Sequence, residues 1–167
     1  MKPQPTGAIL RTTGGYDLVV KRSFRAPIHD VWESITNPER TARWYGPWRG
    51  AARPGALIET QMAYEEGGPW FPMRIDACEP PNRLAVTQLE EAGDWRIELL
   101  LTEVGGGTEL RLIQHLNSGE HAGSIGPGWE YYMDMLDAAR EGRSAPRFDD
   151  YRWQHRYFED ALRALED

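Results

Sequence analysis

The sequence predicts an α+β domain, a curved antiparallel sheet of about six strands followed by a long C-terminal helix that lies across it and closes a small-molecule cavity. Three observations predict it. Between Tyr16 and Leu116 most of the chain alternates apolar and polar residues with a period of two, the signature of half-buried strands. Ser124–Gly142 carries Gly126 and Pro127 near its start, acids early, Arg140 late and Gly142 as its stop, which marks one long helix at both ends. Seven Trp and seven Tyr accompany 17 Gly and 12 Pro, a composition suited to a turn-rich sheet with aromatic side chains to spare.

The elements follow in order. Residues 1–15 are rich in Pro, Gly and Thr and are expected to be irregular. Tyr16–Phe24 alternates as the first strand, and Ala26-Pro27 turns into a short helix with Ile28, Val31, Trp32 and Ile35 on one face. Asn37 as N-cap and Pro38 in the first turn start a second short helix that runs to Tyr45. After Arg53-Pro54-Gly55, Ile58, Thr60, Met62 and Tyr64 share one face of a strand. Met73, Ile75 and Ala77 alternate up to Glu79-Pro80-Pro81-Asn82, with a possible bulge near Cys78. Leu84, Val86 and Gln88 form the next strand, and Trp95–Leu101 returns through Gly105-Gly106-Gly107 to Leu110–Leu116 as a hairpin. On the long helix, Glu130, Asp134, Asp137 and Glu141 form one narrow wet stripe, so its broad apolar circumference needs cover on two sides. Beyond Ser144-Ala145-Pro146, Tyr151, His155, Phe158, Leu162 and Leu165 recur at helical spacing. This tail is a second amphipathic helix, covering the long helix from the same chain or from a partner in a homodimer. The expected organisation is an irregular segment 1–15, one domain over 16–143 and a helical extension 144–167.

Charge and cysteine content exclude several functions. Nineteen Lys and Arg against 26 Asp and Glu give a net charge of −7, with no basic run. That opposes nucleic-acid binding and attraction to anionic membranes, both of which depend on neutralising phosphates. A single Cys, Cys78, rules out an internal disulfide and any multi-thiolate zinc site. No stretch approaches the roughly 20 apolar residues of a spanning helix, and no apolar leader is present, so a cytoplasmic protein is expected.

Particular residues sharpen the fold. Arg22-Ser23-Phe24-Arg25-Ala26-Pro27, Val31-Trp32, Thr36-Asn37-Pro38-Glu39 and Arg43-Trp44-Tyr45-Gly46-Pro47 resemble the opening signature of proteins related to the activator of the heat-shock-protein-90 ATPase, within the START-like, Bet v 1-like superfamily. Glu79-Pro80-Pro81-Asn82-Arg83-Leu84, Gly106-Gly107-Thr108-Glu109-Leu110 and Gly128-Trp129 with Met133 and Leu136 are similar to later landmarks of that family, and the resemblance covers about Asp17–Gly142. It implies a helix-grip fold, in which the sheet curls round the last long helix and leaves a cavity. Many relatives carry a His in the last strand where this chain places Gln114, so the resemblance supplies no acid–base group there.

In such a fold the cavity is lined by Trp44, Met62, Tyr64, Met73, Ile75, Val86, Gln88, Trp95, Ile97, Leu112, Gln114, Tyr132 and Leu136. Most are apolar or aromatic, with a few polar groups to orient a ligand, the usual makeup of a small-molecule site; the competing reading is ordinary core. Trp44, Tyr45, Trp48, Trp70 and Phe71 are expected near the cavity mouth, as a gate, a partner surface or packing under the short helices.

Sharper motifs fail on context. Ser124 sits in Ala-Gly-Ser-Ile-Gly, which lacks the first glycine and the parallel sheet of a nucleophile elbow. His29, His115, His121 and His155 include no metal-binding pair, so neither metal nor cofactor is expected. Glu90-Glu91 and Asp149-Asp150 read as solvated turn residues rather than a catalytic pair. The leading expectation is therefore a non-catalytic protein that binds a small apolar or aromatic molecule. An enzyme of the polyketide cyclase or hydrolase type using the same cavity, and a co-chaperone-like interaction module, stand as alternatives.

Overall fold

The structure is a computed structural model that describes residues 2–91 and 93–166. Its elements are β1 (Ala8–Thr12), β2 (Gly15–Phe24), α1 (Ile28–Thr36), α2 (Pro38–Thr41), β3 (Trp48–Arg49), β4 (Leu57–Gln61), β5 (Trp70–Glu79), β6 (Arg83–Gln88), β7 (Trp95–Val104), β8 (Gly107–Leu116), α3 (Ala122–Glu141) and α4 (His155–Glu166). Two single 3-10 turns, Phe148–Asp150 and Arg152–Gln154, lead into α4. The sheet has eight strands in the order β1-β2-β8-β7-β6-β5-β4-β3, not about six. The two extra strands are its short edges, β1 at one end and the two-residue β3 at the other. Short edges leave few unpaired backbone groups, and they are also too short to establish a period.

The chain divides into two compact units, Met1–Lys21 with Ile113–Asp167, and Arg22–Leu112; β2 and β8 run through both. In the Arg22–Leu112 unit, α1 buries Ile28, Val31, Trp32 and Ile35 as its spacing predicts. Asn37 caps α2, its Oδ1 accepting from Glu39 N at 2.9 Å. That helix ends at Thr41, and successive turns carry the chain on to Tyr45, where a longer helix was expected. Strands β4 to β7 pair antiparallel in sequence order, with a bulge between Ile75 and Ala77 at the place where the alternation loses phase. β4 stops at Gln61, so Met62 and Tyr64 fall in the turn beyond the strand rather than on it.

In the other unit, the segment expected to be irregular contributes β1, which pairs with β2 from Ala8↔Val19 to Thr12↔Gly15 across a two-residue turn. Only Ile9 of β1 is buried, so no alternation announces it. α3 starts at Ala122, four residues before Gly126, with Ile125 N donating to His121 O at 2.9 Å. Gly126 is not a cap; a Cβ there would lie 2.4 Å from the Phe158 ring, so the glycine admits α4 to close contact. α4 packs on α3 of the same chain, with Phe158 fully buried and Leu162 against Gly119. Of the amphipathic stripe, Tyr151 and Phe158 are thereby buried within the chain, and Leu162 and Leu165 are half-buried. His155, expected on that stripe, is exposed; Gln154 is buried in its place, because 3-10 turns rather than α-helix carry the chain from Tyr151.

Candidate functional site

Register brings six of the expected lining residues onto one face of the Arg22–Leu112 unit. Met73 pairs with Gln88 and Gln88 with Trp95; one step along, Ile75 pairs with Val86 and Val86 with Ile97. Residues directly opposite across an antiparallel pair point to the same side. Three strands therefore lay down two parallel rows, Met73–Gln88–Trp95 and Ile75–Val86–Ile97. Ile58, opposite Met73 on β4, extends the first row at its other end. All of these are buried except Trp95, which is half-buried.

Gln88 is the polar member of the two rows. Its amide nitrogen donates to Glu90 Oε1 at 2.6 Å, so Glu90, read from sequence as a solvated turn acid, holds a buried side chain in place. Glu90 follows Gln88 by two residues and continues its face past the end of β6, which is the signal that identifies it. Thr60 reaches the sulfur of Met73 at 3.8 Å. The opposite face of β5 and β6 is polar: Arg74 and Thr87 both bond the Asp76 carboxylate. The Asp76 bond also raises the pKa of the Arg74 guanidinium.

The aromatic residues expected at a cavity mouth separate into two sets. Trp44 and Tyr45 are buried with ring centroids 5.8 Å apart, and the Trp44 indole donates to Ser34 O at 2.9 Å. Trp48 donates likewise to Thr36 O, so these residues pack beneath the short helices. Burial, and after it the charges of Glu65 and Glu90, push the Tyr45 phenol well above its ordinary pKa. Trp70 remains 38% exposed, with the Arg49 guanidinium 4.1 Å over its ring. Tyr64 is 43% exposed and donates to Ala42 O at 2.9 Å; Met62 is half-buried beside it.

The remaining expected residues lie in or beside the other unit. Leu112 and Gln114 are buried on one face of β8, and Trp129 of α3 donates its indole N–H to Gln114 Oε1 at 2.6 Å. Where many relatives were expected to carry a His, this chain thus has a fixed hydrogen-bond acceptor. Tyr132 and Leu136 are buried on α3, Tyr132 within a run of aromatic contacts through Tyr131 to Phe148 and Tyr151. Glu130 corrects the expected wet stripe: it is buried and accepts from Thr6 N, from Thr6 Oγ1 at 2.7 Å and from Gly7 N at 2.8 Å. Among the described residues no group of three or more His, Cys, Asp or Glu side chains is arranged to hold a metal ion, and no helix is long and apolar enough to cross a membrane.

An eight-stranded antiparallel sheet with two short helices after its first long strand and a long helix after its last defines an α+β protein of the helix-grip class. The sequence matches the family described as "Activator of Hsp90 ATPase homolog 1-like protein" over residues 25–141, and the chain belongs to that family. Among solved structures, it is similar to CalU16 from Micromonospora echinospora, with a TM-score of 0.75 and 24% identity over 96% of this chain and 98% of that one. The protein encoded by BPP1335 of Bordetella parapertussis gives a TM-score of 0.73 at 21% identity, covering 97% of this chain and 94% of that one. MLL2253 from Mesorhizobium loti gives 0.62 at 21% identity, over 77% and 98%. At these identities the likeness is one of fold. No curated protein matches the sequence.

Proposed function

We propose that this protein binds a small, largely apolar or aromatic molecule against the face formed by Met73, Gln88, Trp95, Ile75, Val86 and Ile97, without itself transforming it. The observation that carries this reading is the pair of cross-strand rows: five apolar or aromatic side chains around one amide, drawn from three strands into a continuous surface. Met73 supplies an adaptable, polarizable contact and Trp95 a large flat one. Membership of a family with a helix-grip fold supports a ligand-holding role for this face, since such folds commonly enclose small hydrophobic molecules. The test is native mass spectrometry of freshly purified protein together with titration by N-phenyl-1-naphthylamine, a neutral probe that brightens in apolar surroundings. The expected result is a co-purifying small molecule, or saturable probe uptake at one site. Absence of both overturns the reading.

A further inference from the structure

Gln88 limits what such a molecule can be. An amide side chain is ambiguous in isolation, offering two N–H donors at one end and a carbonyl acceptor at the other. Here Glu90 removes the ambiguity: an ionised carboxylate only accepts, so the end of Gln88 that lies 2.6 Å from Glu90 Oε1 is the nitrogen. The carbonyl end is left over. Among the described residues no group donates to Gln88 Oε1, although the side chain is only 4% exposed. Oε1 is not one of the fully buried oxygens without a partner and so keeps access to water; a molecule that covered it without offering a donor would strip that water away at a cost in free energy.

We propose that Gln88 selects its ligand through Oε1, so that the molecule held on this face carries a hydroxyl or N–H donor on an apolar or aromatic body and carries no carboxylate. This rests on the reading of the two rows as a binding face and adds the polarity of the ligand's recognised group. Glu90 is the positioning residue, fixing the sense of the amide through its nitrogen. Its charge also disfavours an anionic ligand, and the same charge, after burial and Glu65, adds to the upward shift of the Tyr45 phenol.

Displacement of N-phenyl-1-naphthylamine by three naphthalenes of matched shape tests it. 2-Naphthol has the donor, 2-methoxynaphthalene has the oxygen without the donor, and 2-naphthoate has the charge. The wild-type protein is expected to take 2-naphthol about tenfold more tightly than 2-methoxynaphthalene, and 2-naphthoate most weakly. Gln88→Leu should bring 2-naphthol and 2-methoxynaphthalene within about twofold of each other while still taking the probe. Glu90→Ala, at an exposed position, should level them as well by freeing the amide to turn. Equal affinity of 2-naphthol and 2-methoxynaphthalene for the wild type, or a preference that survives both variants, overturns the inference and leaves the apolar site standing. Failure of the probe to bind together with the absence of any co-purifying molecule overturns both, and a co-purifying molecule that carries a carboxylate or lacks a hydroxyl or N–H donor overturns the inference alone.

Discussion

At the scale of single residues, Tyr45 and Glu130 carry consequences that their place in the sequence conceals. The Tyr45 phenol is buried and its folded-state pKa lies above the ordinary tyrosine value near 10. Below pH 10 both folded and unfolded chains keep the proton, and the contribution is fully present. Above it the unfolded chain ionises first, so stability falls by up to about 1.4 kcal/mol per pH unit from this group. Urea denaturation of wild type and Tyr45→Phe between pH 9 and 11 should show wild type losing stability relative to Tyr45→Phe as pH rises. Glu130 takes three hydrogen bonds from Thr6 and Gly7, the one from Gly7 N fully buried. Glu130→Ala leaves those donors without their acceptor and should cost about 3 kcal/mol in urea midpoint experiments. A helical projection put Glu130 among solvated acids because such a projection sorts residues by type. Its partners lie more than 120 positions away in sequence, beyond the reach of any local pattern.

At the scale of elements, α3 offers a paired experiment on glycine. Replacing a helical glycine by alanine ordinarily stabilises by about 1 kcal/mol. Gly128 has open space where a Cβ would go, so Gly128→Ala should raise the midpoint by that order. Gly126 faces the Phe158 ring at 2.4 Å, and Phe158 is fully buried, so Gly126→Ala should destabilise in spite of its helix propensity. Phe158→Ala, emptying the same contact, should cost about 3–5 kcal/mol by the same measurement. The long strands, α1 and the two C-terminal helices were legible because each repeats its period, whereas α2, a single turn, was marked only by Asn37 and Pro38 at its start. β1 and β3 were not, since five and two residues with one buried side chain or none cannot display a period. The start of α3 was misplaced for a related reason: glycine and proline announce helix ends by conformation, but here Gly126 serves a contact with a helix some thirty residues further on.

At the scale of the whole molecule, the helix-grip class followed from the order of elements, and six of the thirteen expected lining residues proved to be direct cross-strand neighbours. Strand alternation fixes which face a residue takes, and that is why β5, β6 and β7 were read correctly. Tyr64 and Met62 were assigned by extrapolating the same alternation past Gln61, where the strand stops. Val86→Trp tests the proposed use of the face. With space beside the rows, the variant should fold with a urea midpoint near that of wild type and lose uptake of N-phenyl-1-naphthylamine. A close-packed interior would instead lose about 1–3 kcal/mol to overpacking.

The clasp between the two ends of the chain bears on the order of assembly. Gln154 donates to Pro3 O, Tyr157 donates to Gly7 O, and Phe158 covers Gly7. A ribosome releases Pro3 and Gly7 early and their fasteners about 150 residues later, whereas Arg22–Leu112 emerges as one uninterrupted stretch with its strands β4 to β7 already in sequence order. Contacts between neighbours in sequence form before those that must close a long loop. During synthesis the sheet segment that carries Met73, Gln88 and Trp95 can therefore condense while the chain is still growing, and Pro3 and Gly7, made before it, are among the last residues to be fastened.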